Sequence, residues 1–332
     1  MYNKNKCILT IAMGIKHLNN YLQTLCPSSI SKISLSELSG KKIVIDTSIY
    51  LYRFIGDGGL LENFYLMISI FRQYNIIPLF VFDGKPPKEK GDTLKQRNIE
   101  KKEAEYKYNV LEERLNDSNT SDEEKIEIRD RMEMLKRNFI RVHHTDIENV
   151  KALIQSYGVS YIDAPGEADK LCAKFVCKNK AYACLSEDMD LFVYGCNRVM
   201  RYLSLLNKTV VMYDLPGILD EIKLSLLEFQ SICIVSGTDY NNNSTSKNNL
   251  HQSLKYFKKY KKDGNVSDFY EWLNANTNYV SNVYELYNVL EMFNLSNMIE
   301  YKPYDKLKIM NGPINKSNLI NIMKKEHFVF AD

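Results

Sequence analysis

Tryptophan occurs once in the 332 residues, histidine five times, and no apolar run approaches the roughly 20 residues needed to span a bilayer. A membrane-spanning helix is therefore not expected. The apolar stretch between Met1 and Ala12 is also too short for a secretion signal. The seven cysteines, Cys7, Cys26, Cys172, Cys177, Cys184, Cys196 and Cys233, form no CxxC pair and have no histidine nearby at zinc-ligand spacing. That argues against a zinc centre and a disulfide framework, and leaves the cysteines as small core residues in a reducing compartment. A net charge of +3 is too small to announce a nucleic-acid binder, and no internal repeat is found. With 45% hydrophobic and 26% charged residues, the expectation is a soluble, intracellular globular protein. Its length suits one large domain or two smaller ones.

Acidic residues stand at the ends of apolar runs and at the starts of helical patterns. Lys42 to Asp46, Ile77 to Asp83 and Ala181 to Asp188 read as short buried strands ending in acids, with helical patterns between them. Alternating strands and helices imply an α/β fold with a mostly parallel central sheet. In such a sheet the carboxyl ends of the strands share one edge, where ligands bind. Asp46, Asp83, Glu167, Asp169, Asp188, Asp190 and Asp239 are therefore expected to converge. Asp188 and Asp190 share a direction if their segment is extended, whereas Glu167 and Asp169 diverge on a regular helix and take outer and inner roles.

Packing carboxylates together raises their pKa values unless cations intervene. Oxygen-only ligands suit Mg²⁺ or Mn²⁺. Two such ions, about 4 Å apart, would activate water, grip a phosphate and stabilise a departing oxygen. Taken singly, each acid is more often a helix cap than a catalyst; it is the set that points to phosphodiester hydrolysis.

Basic residues are clustered as well. Lys85, Lys88, Lys90, Lys95, Arg97, Lys101 and Lys102 follow Asp83, and Lys255, Lys258, Lys259, Lys261 and Lys262 form a second run. Either run alone reads equally as solvated surface. Lys90 and Arg97, seven apart on one helix face just beyond Asp83, suit a phosphate where negative charge develops. Tyr52, in the helix after Asp46, either stacks on a base or packs in the core. Asp92 or Thr93 is expected to cap the long charged helix that reaches Leu115. The asparagine-rich Asn241-Asn-Asn243 reads as a polar loop.

Six segments, in order, resemble the signatures of the structure-specific 5′ nucleases typified by flap endonuclease: Met13-Gly-Ile-Lys-His-Leu18, Val44-Ile-Asp-Thr-Ser-Ile-Tyr50, Phe80-Val-Phe-Asp-Gly-Lys-Pro-Pro87, Tyr161-Ile-Asp-Ala-Pro-Gly-Glu-Ala-Asp169, Ser186-Glu-Asp-Met-Asp190 and Ser236-Gly-Thr-Asp-Tyr240. The resemblance implies a PIN-like nuclease core and a two-metal enzyme that cuts DNA bearing a 5′ flap, nick, gap or free 5′ end. All seven acids match the family's metal site, Asp169 standing where Glu is common. Lys90 and Arg97 match its phosphate-approaching basic residues, Tyr52 its stacking tyrosine and Gly14 a glycine close to DNA. Lys85, Lys88, Lys255, Lys258, Lys259 and Lys262 are the further expected DNA contacts.

The implied organisation is an N-terminal extension at 1–12 and a nuclease core at 13–87 and 142–237. A helical arch at 88–141 interrupts the core, and a helical DNA-binding region with a divergent helix-two-turn-helix occupies 238–332. The family's potassium site is not carried over, because Asn241 to Asn249 lacks the glycine-rich hairpin. The segment between Arg53 and Glu62 is short for the family's wedge. The residues before Asp332 carry no glutamine with paired aromatics of the kind that binds a sliding clamp, so clamp recruitment is not expected. A monomer acting where DNA is replicated, nuclear or equivalent, is expected. The alternatives are a nuclease-like binding module without catalysis and, among enzymes, an RNA 5′ exonuclease or junction resolvase.

Overall fold

The computed structural model describes residues 14–117, 120–241, 249–264, 267–280, 282–296, 299–324 and 328. The strands are β1 Ile30–Ser34, β2 Lys42–Asp46, β3 Ile77–Phe82, β4 Ser160–Asp163, β5 Ala183–Leu185, β6 Arg198–Ser204 and β7 Thr209–Asp214. They form one sheet in the order β1-β7-β6-β5-β2-β3-β4. The pairs β2/β3, β2/β5, β3/β4 and β5/β6 are parallel, while β7 runs antiparallel to β6 and to β1. The sheet is therefore mostly parallel, as expected.

β1 lies in the serine-rich stretch before β2. Ile30-Ser-Lys-Ile-Ser is an edge strand with three polar residues in five and none fully buried, so it lacks the apolar density of the central strands.

Side chains alternate across the pleat. Ile43, Ile45, Phe80 and Phe82 belong to one buried cluster, and Val44, Leu79 and Val81 to the other. Helices cover both faces, so the central strands read as continuous apolar runs. The N-terminal helices are α1 Leu18–Leu25, α2 Thr47–Gly56 and α3 Leu60–Gln73. A long pair follows, α4 Gly91–Leu115 and α5 Asp122–Lys136, and then α6 His144–Ser156, α7 Ala168–Cys177, α8 Asp190–Val193 and α9 Leu215–Ile222. The C-terminal helices are α10 Leu226–Ser236, α11 Leu250–Asp263, α12 Phe269–Asn276, α13 Val283–Met292 and α14 Lys316–Lys324.

α4 has 25 residues, a length of about 37 Å at 1.5 Å per residue. It packs against α5. Ala104, Ile128 and Met132 are buried, while Ile99, Tyr106, Val110, Ile126 and Met134 remain exposed. Neither Asp92 nor Thr93 caps α4: a 3-10 turn at Lys88–Lys90 leads directly into it, and the cap position is Lys90. No described helix is long and apolar enough to cross a membrane.

Candidate active site

The carboxyl ends of β2, β3 and β5 lie side by side, with Asp46 opposite Val81 and Ile45 opposite Leu185. Asp46 ends β2, and Asp83 follows β3. Asp83 is exposed and accepts a hydrogen bond from Ala168 N at 2.8 Å, one of the donors left unpaired at the start of α7. It therefore caps a helix across the sheet edge, a local structural role alongside its place among the acids.

Glu167 occupies the cap position of α7 in an extended conformation, and Asp169 lies buried in the first turn. The extended cap brings the two close enough that the charge on Glu167 raises the Asp169 carboxyl, after burial, the larger cause. Asp188 and Asp190 are also adjacent, but a turn rather than an extended segment joins them: Met189 is helical and Asp190 begins α8. Asp190 N donates to Asp188 Oδ1 at 2.9 Å. Asp239 follows α10, and the turn beyond it is closed by Asn241, whose Oδ1 accepts from Thr238 N at 2.9 Å and whose Nδ2 donates to Ile234 O at 2.7 Å. Asn241 is thus a buried structural residue, not part of a polar loop.

The consequence is electrostatic crowding. Burial, then the charge of Asp83, holds the Asp46 carboxyl well above its ordinary value. Burial, then Asp188 and Asp239, does the same to Asp190, and burial is the main cause for Asp188. Asp190 Oδ1 is buried without a hydrogen-bond partner. An all-oxygen set with raised carboxyls and an orphaned carboxylate oxygen fits hard divalent cations. Among the described residues no three such side chains are already closed into an ion-holding cage.

Positive charge comes from the base of α4. Lys90 Nζ lies 2.5 Å from Glu167 Oε1 and 3.2 Å from Asp239 Oδ2. Burial disfavours its ammonium, but Glu167, Asp169 and Asp239 outweigh burial and hold its pKa above the ordinary lysine value. Arg97 Nη2 reaches both oxygens of Asp239, at 2.9 and 2.8 Å. Lys90, at the cap of α4 rather than on the helix, and Arg97, within it, thus meet at Asp239, and in this structure both engage carboxylates.

Three supports escaped sequence reasoning. Ser186 Oγ donates to Asp46 Oδ2 at 2.8 Å and accepts from Asp188 N at 3.1 Å, tying two acids together. Tyr240 OH donates to Glu167 Oε2 at 2.6 Å, and Tyr194 OH bonds Tyr240 OH at 2.8 Å. Thr93 Oγ1 donates to Asp239 O at 2.8 Å. Ser186 and Tyr240 lie inside motifs, yet a hydroxyl carries no spacing signal of its own.

Gly14 has φ +74, and a Cβ there would collide with the Asp190 carboxylate and lie 2.9 Å from Asp188 Oδ1. Glycine is required by both backbone and space. Gly84 is similarly confined: it donates to Gly166 O at 2.7 Å, and a Cβ would collide with Ala164 O.

Tyr52 is half-buried on α2, with Lys101 Nζ of α4 4.7 Å from its ring centroid. Lys85 and Lys88 are exposed beside the site. Lys255, Lys258, Lys259 and Lys262 are exposed on α11, away from the acids in sequence; Lys259 Nζ lies over Trp272. Met1 to Met13, residues 242–248 and the last residues of the chain, on which the extension, potassium-site and clamp expectations fall, lie outside the described residues.

Comparison with known proteins decides the lineage. Residues 13–104 match the XPG N-terminal domain and residues 158–239 the XPG I-region. Flap endonuclease 1 of Candida dubliniensis is 30% identical, over 95% of this chain and 82% of that protein. The chain belongs to the flap-endonuclease family. It is a nuclease, and nucleases of this family are generally metal-dependent. The fold agrees. The catalytic core of Rad2, solved in complex with a DNA substrate, superposes with a TM-score of 0.61 at 20% identity, covering 94% of this chain and 95% of that one. Human GEN1, solved in complex with Holliday junction DNA, gives a TM-score of 0.62 at 18% identity, covering 95% and 74%.

Proposed function

We propose that this family member is a Mg²⁺-dependent 5′ nuclease that hydrolyses a phosphodiester in branched DNA bearing a free 5′ end, during replication, repair or recombination. The supporting observation is the convergence of Asp46, Asp83, Glu167, Asp169, Asp188, Asp190 and Asp239 on one sheet edge, with Lys90 and Arg97 set among them from the base of α4. Those acids would hold two magnesium ions, which Mn²⁺ could replace. Bound there, the ions supply the charge that activates water and stabilises the departing oxygen.

The side chains perform the remaining work. Ser186 orients Asp46 and fixes the backbone of Asp188; Tyr240 orients Glu167. Lys90 and Arg97 exchange a carboxylate for the substrate phosphate, so their charge meets the negative charge that grows as one P–O bond forms and another breaks. Tyr52, held beneath Lys101, offers an aromatic face to a base near the cut. Gly14 leaves the close approach to Asp188 and Asp190 open to a phosphate. Lys85 and Lys88 attract the strand beside the site, and the exposed lysines of α11 attract the duplex away from it. α4 and α5 form an arch through which a flexible single strand passes and a duplex does not.

The test is cleavage of flap, nicked and gapped oligonucleotides by the purified protein, with magnesium and with chelator. Metal-dependent cutting beside the junction is expected. Binding without cutting on every substrate would mark a non-catalytic module instead.

A further inference from the structure

The parallel strands β2, β5 and β6 have a second shared edge, opposite the acids. There a cavity of about 560 Å³ opens. The five residues of β2 separate it from Asp46 by about 13 Å at 3.3 Å per residue. Lys41 and Lys42 line it from the start of β2, Lys180 and Tyr182 from the approach to β5, and Arg198 from the start of β6. Tyr182 gathers two of these cations, with Lys41 Nζ 4.9 Å and the Arg198 guanidinium 4.7 Å from its ring centroid.

This charge is poorly balanced. Among the described residues, Asp305 is the one carboxylate in the lining. It is already approached by Lys178 at 3.3 Å, Lys174 at 3.8 Å and Lys180 at 3.9 Å. Lys174, beside Asp305 but outside the lining, is held below the ordinary lysine value by burial first; Asp305 opposes this, and the repulsion of Lys178, Lys180 and Lys302 adds to it. Four cations from three separate segments therefore face one concave space, with Asp305 shared among the lysines and Asp214, outside the lining, 3.9 Å from Arg198.

We propose that this cavity is a second anion site, distinct from the nuclease site, that takes a phosphate-rich ligand: a free polyphosphate or the phosphodiester backbone of a nucleic-acid strand. A guanidinium fork beside ammonium groups matches the several acceptor directions of phosphoryl oxygens. The volume is that of a small-molecule pocket. An acidic peptide fits less well, because β2, β5 and β6 are interior strands and offer no edge for strand addition.

The test is calorimetric titration with tripolyphosphate in chelator, and separately with a short single-stranded oligonucleotide, comparing wild type with Lys42→Gln/Arg198→Gln. Tripolyphosphate should bind, and the variant should bind it about tenfold more weakly, the loss of two solvent-screened charge contacts. Lys255→Gln/Lys258→Gln should bind it unchanged. If oligonucleotide affinity falls in step and tripolyphosphate competes with it, the ligand is a strand; if only tripolyphosphate responds, it is a free polyphosphate. Lys42→Gln alone, at an exposed position, should show a smaller loss in the same direction with an unchanged melting temperature. Absence of tripolyphosphate binding, equal affinities in wild type and variant, or sensitivity confined to a poly-glutamate peptide would overturn the proposal. Single-turnover flap cleavage at saturating protein, measured in parallel, should keep its rate under either outcome, so failure here is separable from failure of the nuclease reading.

Discussion

The ammonium of Lys90 lies 2.5 Å from Glu167 Oε1, joining the foot of the long helix α4 to the cap of α7 across 77 residues of chain. The same ammonium is 3.2 Å from Asp239 Oδ2, so one cation links an inserted helix, a core helix and the turn after α10. Replacing it with Met keeps the stem and removes the charge. Lys90→Met should lower the single-turnover cleavage rate by about 100-fold or more, the scale of a lost electrostatic group, while substrate affinity changes little.

The crowded aspartates make stability depend on pH with a definite sign. Asp46, Asp169, Asp188 and Asp190 hold their protons to higher pH in the folded protein than the ordinary value of 3.8, chiefly through burial. The folded state therefore binds more protons than the unfolded chain above that value, and the metal-free protein loses stability as pH rises through the window up to the raised values. A divalent cation opposes this loss. The melting temperature should rise more on adding Mg²⁺ at about pH 7.5 than at about pH 5. Asp190→Asn should stabilise the metal-free protein at neutral pH by about 1 to 2 kcal/mol and shrink the Mg²⁺ effect.

Tyr240→Phe deletes the hydroxyl that donates to Glu167 and leaves Tyr194 OH without that partner. A loss of about 1 to 3 kcal/mol in denaturant unfolding is expected. Slower cleavage should accompany it, because Glu167 loses the group that orients it.

Gly14→Ala tests the narrow approach to the acids. Its Cβ would meet the Asp190 and Asp188 carboxylates at a residue with φ +74. Cleavage should fall about tenfold or more, with the Mg²⁺ dependence displaced to higher concentration, while far-UV circular dichroism is unchanged.

The proposed passage of a strand between α4 and α5 makes its own prediction. A flap blocked at its 5′ end by a bulky adduct should be cut far more slowly than a free flap. Equal rates on both would show that the strand does not pass between α4 and α5.

Strand ends and acids were legible in the sequence because each central strand is buried on both faces, so Ile43 to Asp46 and Leu79 to Asp83 read as apolar runs with an abrupt acidic stop. β1 is not legible as a strand, since Ile30 and Ile33 are only partly buried and the serines and lysine around them dilute the apolar signal. The closeness of Asp188 and Asp190 was foreseen but its cause was not: a turn into α8 brings them together rather than strand alternation. Asn241 was misread because a run of asparagines is polar in composition, whereas its buried amide satisfies backbone groups that only the folded turn presents. The contacts of Lys90 and Arg97 with Glu167 and Asp239 join residues far apart in the chain, which spacing along one helix does not encode.

The most direct test of the central claim is single-turnover cleavage of a 5′-flap oligonucleotide by Asp188→Ala in Mg²⁺, with substrate binding measured in chelator. Loss of cutting with binding largely retained is the predicted result. Robust cutting by Asp188→Ala would contradict the assignment of the converged acids as the metal-holding catalytic site.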